Sequence, residues 1–252
     1  MINSPVEYQK MSEVESSHWW YQCLHQQVLT SIQKNFNHKE IQIIDAGCGT
    51  GGLSLFLKEK GYTNIKGFDF STDAVQFCTQ KNLNVQSGNL KEISKIYPPQ
   101  SADLIIINDV LYFFNKEERE AIYSQVDEIL KPGGVLITNL PALESFRGTH
   151  DILVGNFGNR FSIEDSQDFT RNTKLELKNY RYWPFLLSPI VFTIRWLQRM
   201  RLKANPNQEF HSDIDLPNKI INLILKLITM MELKVFNKTP FASSLFLTFI
   251  KK

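Results

Sequence analysis

Asp45-Ala46-Gly47-Cys48-Gly49-Thr50-Gly51 sets three alternating glycines directly after an acid, a spacing that can hold a ligand against bare backbone. Glycine admits a positive φ and a close approach that a Cβ would block. A helix opening near Thr50 would add unpaired N–H groups behind the loop, suited to an anionic or polar group. Acids recur at Asp69 and Asp109, each after an apolar run. His150 stands beside Asp151, and a histidine next to a carboxylate can be held near neutral pKa for proton transfer. His150 with Asp151 is therefore the candidate acid–base pair. The arginines at 147, 160, 171 and 181 could grip an acidic acceptor by bidentate contacts.

Alternating strands and helices are needed to position these groups. Ile41, Ile43 and Ile44 predict a buried parallel strand entering the loop, and Asn64 to Phe68 and Asp103 to Asn108 predict two more. Lys116 to Leu130 predicts a helix capped by Asn115 with Glu118, stopped by Pro132-Gly133-Gly134 before a strand from Val135 to Asn139. Ser71 predicts another helix cap, and His18 to Phe36 an N-terminal helix. Beyond Pro141 the pattern changes to a long connection, a helix opened by Ser162 to Asp165, and an alternating strand from Lys174 to Tyr182. Two apolar helical segments follow before a last strand, Ser244 to Ile250.

Two ligand templates fit the loop. Gly47-x-Gly49-x-x-Gly52 matches the dinucleotide fingerprint, with Asp69 about 20 residues downstream. Asp45, two residues before the first glycine, completes D-x-G-x-G-x-G, which resembles motif I of the class I S-adenosylmethionine (AdoMet)-dependent methyltransferases. Gly67-Phe68-Asp69-Phe70-Ser71 resembles the family's second motif, Gly88-Asn89-Leu90 its adenine loop, Asn108-Asp109-Val110-Leu111-Tyr112-Phe113 the motif beneath the methionine end, and Lys131-Pro132-Gly133-Gly134 its last turn. This resemblance spans Ile41 to Asn139. It implies a Rossmann-like, seven-stranded, mostly parallel α/β sheet with helices on both faces, an N-terminal helix and a helical lid before the last strand. It also implies AdoMet as cofactor. Asp45, Gly47, Cys48, Gly49 and Gly51 would form the loop, Asp69 would accept the ribose hydroxyls and Phe70 would face adenine. Asn89 with Leu90 would meet the adenine edge, and Asn108, Asp109 and Val110 the methionine end. Asn89 replaces the family's usual Asp, although its amide oxygen can still accept a hydrogen bond.

His18-Trp19-Trp20-Tyr21 is similar to a histidine and paired-tryptophan element in one branch of these enzymes, and Pro141-Ala142, Thr149-His150-Asp151, Arg160-Phe161 and Pro240 to Leu245 continue that likeness. The branch more often has two arginines where this chain has Asn159-Arg160, and glycine where it has Ala242. The resemblance implies a substrate side built from His18, Trp19, Trp20, Tyr21, Tyr112, Arg147, Arg160, Tyr180 and Tyr182. Trp19 and Trp20 could equally pack the helix on the sheet.

A chain of 252 residues with 42% hydrophobic content is read as one methyltransferase domain. Residues 1–40 would be a helical cap, 41–140 the AdoMet-binding core, 141–243 the substrate and lid region, and 244–252 the last strand. Net charge is +2, without the basic stretch that nucleic-acid binding calls for. Three scattered cysteines predict neither disulfides nor a metal site, and Cys48 reads as a small apolar loop residue. The first residues have no signal-peptide pattern, which predicts a cytoplasmic enzyme.

The expected reaction is methylation, most often at oxygen, of a small, partly apolar acceptor. Alternatives are methyl ester formation on a carboxylate of an acidic metabolite or short peptide, an AdoMet-binding subunit without catalysis, or a nicotinamide-dependent dehydrogenase. The stretches Trp183 to Leu202 and Lys219 to Val235 are expected to bury each other over the pocket. A membrane-docking surface is the alternative.

Overall fold

The computed structural model describes residues 5–149, 151, 159–204 and 215–252. Strands β1 (Ile43–Ala46), β2 (Ile65–Asp69), β3 (Val85–Ser87), β4 (Ala102–Asn108), β5 (Leu130–Pro141), β6 (Leu175–Trp183) and β7 (Ser244–Lys251) form one sheet in the order β3-β2-β1-β4-β5-β7-β6. The first five are parallel, and β7 inserts antiparallel between β5 and β6. This is a Rossmann-like α/β architecture with seven strands and nine helices among the described residues.

Successive strand residues point to opposite faces, so the central strands must be apolar at nearly every position. Ile44, Ile105, Ile107 and Leu136 enter one core layer with Ile122, Tyr123 and Val126 of α6 (Lys116–Ile129). Ile43, Leu104, Ile106 and Ile137 enter the other, with Val28 and Ile32 of α2 (Trp19–Asn35) and Leu57 of α3 (Gly52–Glu59). The sheet is thus covered on both faces, and its ends are left to bind ligands.

The local signals act as expected at the caps. Asn115 and Glu118 form a reciprocal capping box on α6, Ser162 and Asp165 another on α7 (Ile163–Phe169), and Ser71 caps α4 (Thr72–Gln80). Lys131 to Gly134 lies within β5 rather than before it, with Gly133 at φ 76°. A further helix, α1 (Pro5–Val14), precedes the one expected, and α5 (Ile93–Ile96) is a single short turn.

The two C-terminal helices depart most from expectation. α8 (Ser188–Ala204) and α9 (Lys219–Val235) fall where the apolar segments were read, yet they do not bury each other. Only Ser188 of α8 and only Thr229 and Glu232 of α9 are fully buried. α9 packs on α2, and α8 packs on the turn Glu144–Phe146. Among the described residues no helix is long and apolar enough to cross a membrane.

Candidate functional site

At the carboxyl end of β1 the chain turns on Gly47, Gly49 and Gly51, with φ of 75°, 54° and 84°. A Cβ at Gly47 would lie 2.6 Å from Val110 Cγ2, so both backbone conformation and space require glycine there. The Gly47 and Cys48 amides donate to the Phe68 carbonyl at 2.9 and 3.1 Å, which ties the loop to β2. Cys48 Sγ lies 4.0 Å from Cys78 Sγ and both thiols are free. The hydrogen bond to Cys78 and then burial hold the Cys48 pKa well above the ordinary thiol value.

Asp69, the last residue of β2, stands across from this loop. Its Oδ2 accepts from the Gly49 amide at 2.8 Å and its Oδ1 from the Ser71 amide at 2.9 Å. Burial raises its pKa, and these backbone donors partly offset the rise. The Phe70 amide and the Tyr8 hydroxyl also bond to Asp69, so the roughly four lone-pair sites of an ionised carboxylate are occupied, and a ribose hydroxyl would be received in exchange for one of these donors. Asp45 sits behind the loop, where Ser54 Oγ donates to its Oδ2 at 2.7 Å, and burial raises its pKa to about 6.

Helix α1 lies over the loop. The Tyr8 hydroxyl hydrogen-bonds with Asp69 and Ser71, and Met11 Sδ would be 3.3 Å from a Cβ on Gly49. Glu15, just after α1, accepts from the Gly52 amide at 3.1 Å and from Lys81 Nζ at 2.5 Å. A carboxylate at the first turn of α3 meets the positive end of that helix. The Tyr8, Met11 and Glu15 contacts were not read from the sequence, because Val6, Met11 and Val14 make no regular apolar face to announce α1.

At the carboxyl end of β4, Asn108 has both side-chain amide atoms buried and without a hydrogen-bond partner among the described residues. Such a group calls for a ligand or water. Asp109 follows in the left-handed region at φ 54°, uncommon for a residue with a side chain. Its amide donates to the Asn139 carbonyl at 2.9 Å, and Asn139 Nδ2 donates to both its carboxylate oxygens at 3.0 Å. Trp183 Nε1 donates to Asn139 Oδ1 at 2.8 Å, completing a relay from β6 through β5 to Asp109. Enclosure raises the Asp109 pKa to about 7, with the Asn139 bond opposing the rise. Tyr21 of α2 and Tyr112 both feel that charge.

Comparison with known proteins shows the family. A family model described as a methyltransferase domain matches residues 37–182. The chain belongs to the class I S-adenosylmethionine-dependent methyltransferases. A carboxy-S-adenosyl-L-methionine synthase of Colwellia psychrerythraea is 27% identical over 135 residues, covering 49% of this chain and 53% of the relative. A malonyl-[acyl-carrier protein] O-methyltransferase of Priestia megaterium is 26% identical over 181 residues, covering 64% and 62%. The chain therefore spans about half to three-fifths of the length of these two curated relatives. A solved methyltransferase from Archaeoglobus fulgidus shares the fold with a TM-score of 0.55 at 16% identity, covering 90% of this chain and 94% of that one. Magnesium protoporphyrin IX methyltransferase from Synechocystis, solved with bound AdoMet, gives a TM-score of 0.54 at 16% identity, covering 92% and 80%.

The AdoMet-methyltransferase motifs converge as a group: the glycine loop, Asp69, and Asn108 to Val110 meet at the carboxyl ends of β1, β2 and β4. The half-exposed Phe70 follows Asp69. Asn89 uses its side-chain oxygen to accept from the Lys91 amide at 3.0 Å, capping the turn Leu90–Glu92, while Leu90 is buried in the core. The orphaned Asn108 amide and the cradle at Gly47 fit a polar cofactor laid across these strand ends.

The substrate-side residues divide. Tyr21 and Tyr112 are near Asp109. His18 instead caps α2, its Nδ1 accepting from the Trp20 amide at 3.2 Å, and burial lowers its pKa. Trp20 stacks on buried Trp183 at 5.4 Å, and Trp19 also packs against that core layer. Arg160 bonds Asp151 Oδ1 at 2.9 Å and the Ala142 carbonyl at 2.6 Å, so Asp151 and Arg160 anchor this loop as a buried pair. Arg147 pairs with Glu144 at 2.7 Å. Tyr182 accepts from the Ile163 amide at 3.0 Å, and Tyr180 lies under Lys238 Nζ, on β6 at the sheet's edge. His150 lies outside the described residues.

Proposed function

We propose that the protein methylates a hydroxyl group on a small, partly apolar acceptor, with Asp109 as the base. When bound, AdoMet supplies an activated methyl on its sulfonium. Alignment then carries most of the rate, with effective molarities of up to about 10⁵–10⁸ M from positioning. Asp69 would hold the ribose, and the glycine loop would admit the cofactor's backbone contacts.

Asp109 carries this reading. Its enclosed carboxyl, raised to about 7, is suited to taking a proton near neutral pH. Asn139 and the left-handed backbone fix its direction. Tyr21 and Tyr112, which share its surroundings, support an acceptor with an apolar body. An acidic acceptor is disfavoured because Arg147, Arg160 and Arg171 already meet Glu144, Asp151 and Asp168, and Arg181 donates to the Phe236 carbonyl. Asp151 is ion-paired with Arg160, and Asp109 is the acid that the strand-end geometry favours as base.

The test is turnover of a hydroxylic acceptor panel by Asp109→Asn. The proposal expects kcat to fall about 10²–10⁴-fold, with S-adenosylhomocysteine binding retained. A loss below about threefold would remove the base and favour a carboxylate acceptor, already ionised at neutral pH.

A further inference from the structure

α9 is inside out. Residues Asn222, Thr229 and Glu232 share one side of a 3.6-residue helix, and that side faces the protein. Asn222 Oδ1 accepts from the Trp19 amide at 2.9 Å and its Nδ2 donates to the Ser17 carbonyl at 2.9 Å. Glu232 accepts from the Phe185 and Leu186 amides at 2.8 and 2.7 Å. The opposite stripe, Ile220, Ile224, Leu227, Met231 and Val235, is 50–69% exposed along the whole helix. α8 repeats the inversion. Its inner contacts include polar ones, with Arg199 donating to the Ser145 and Arg147 carbonyls at 2.8 Å and Gln198 accepting from the Thr149 amide at 3.3 Å, beside an edge contact of Phe192 with buried Phe146. Ile190, Ile194, Trp196, Leu197 and Met200 are exposed.

The two helices are joined at one end. Phe185, just before α8, touches Phe236 and Phe241, just after α9, at ring distances of 6.2 and 5.2 Å. Exposed apolar area along the whole length of a helix marks an interaction surface.

Charge selects its occupant. α8 carries Arg195, Arg199, Arg201 and Lys203 and no acid; α9 carries Lys219, Lys226 and Lys234, and its one acid, Glu232, is buried. Arg201, Lys203, Lys219 and Lys234 remain exposed beside the apolar stripes. The exposed Asp215, ahead of α9, lies 3.4 Å from Lys10. A second copy of this face would bring like charges together, whereas anionic headgroups complement them. At 17 residues each the helices reach about 25 Å, short of the ~30 Å hydrocarbon core, so they would lie in the interface. We propose that α8 and α9 dock the protein on an anionic lipid surface, their apolar stripes among the acyl chains and their lysines and arginines at the headgroups. This goes beyond the methyl-transfer reading and does not depend on it.

Co-sedimentation with phosphatidylcholine vesicles, with and without phosphatidylglycerol, tests the proposal. The full chain is expected to bind the phosphatidylglycerol vesicles and to release in high salt, and Ile224→Asp to weaken binding about tenfold or more with an unchanged thermal melt. Ile220→Asp, at the first turn and 69% exposed, serves if Ile224→Asp does not fold. A blue shift of tryptophan emission on adding vesicles, lost in Trp196→Phe, would place α8 in the lipid. Absence of vesicle binding overturns the proposal, as does equal binding to phosphatidylcholine alone. A vesicle-indifferent dimer dispersed by Ile224→Asp would assign the face to a second copy instead.

Discussion

The carboxyl ends of β1, β2 and β4 and the helices α8 and α9 both enclose polar groups but differ in what they leave outside. At the strand ends, Asp45, Asp69 and Asp109 are enclosed and held by Ser54, by the Gly49 and Ser71 amides, and by Asn139. Their carboxyl pKa values are raised by burial. On α8 and α9 polar groups also turn inward, but apolar side chains take the solvent side. Enclosed charge with fixed partners suits chemistry on a small ligand. Exposed apolar area with basic edges suits a surface. Substitutions in the first region should therefore cost stability, binding or turnover, and outward substitutions in the second should leave the fold intact.

The largest expected effect lies between the two regions. Arg160→Ala removes the guanidinium paired with buried Asp151 and should destabilise by about 3–5 kcal/mol, measured by urea denaturation. An unchanged midpoint would show that this loop is not anchored by the pair. Gly47→Val combines a left-handed backbone with a 2.6 Å contact and should lower stability by at least about 2 kcal/mol while abolishing AdoMet binding. Retained binding would detach the glycine loop from the cofactor.

A pH-dependent effect comes next. Asp109 titrates at about 7 in the fold against an ordinary 3.8. Between those values the folded state holds a proton that the unfolded chain has released. Stability from this group is therefore present below the lower value and falls as pH rises through the window. The melting temperature of Asp109→Asn relative to the unsubstituted protein should climb from about pH 4 to pH 7, and the comparison cancels other groups. A flat difference would contradict the enclosed carboxyl. Smallest is Ile224→Asp, on the outer stripe of α9, which should shift stability by no more than about 0.5 kcal/mol in the absence of lipid. A large loss would mean the stripe is core.

The glycine loop and the strands that enter it were legible because their features are local. Gly47, Gly49 and Gly51 require a conformation that other residues resist, and Asp45 and Asp69 follow apolar runs that could only be buried strands. Asn139, Trp183, Tyr8 and Glu15 were not legible, since they reach the site from separate elements and no spacing announces them. Asp151 and Arg160 were read separately for chemistry, and no spacing announced that they pair as buried partners. The facing of α9 was also beyond reach. Periodicity shows that a helix has two sides, whereas the Ser17 carbonyl and Trp19 amide, which demand Asn222, decide which side turns in.

The central claim, that the strand ends form an AdoMet site organised by Asp69, is tested most directly by calorimetric titration with S-adenosylhomocysteine and with NAD. The unsubstituted protein should bind S-adenosylhomocysteine one to one and ignore NAD. Asp69→Ala should weaken that binding by about 1.5–3 kcal/mol with an intact melt. Equal affinity in Asp69→Ala, or a preference for NAD, would contradict the account.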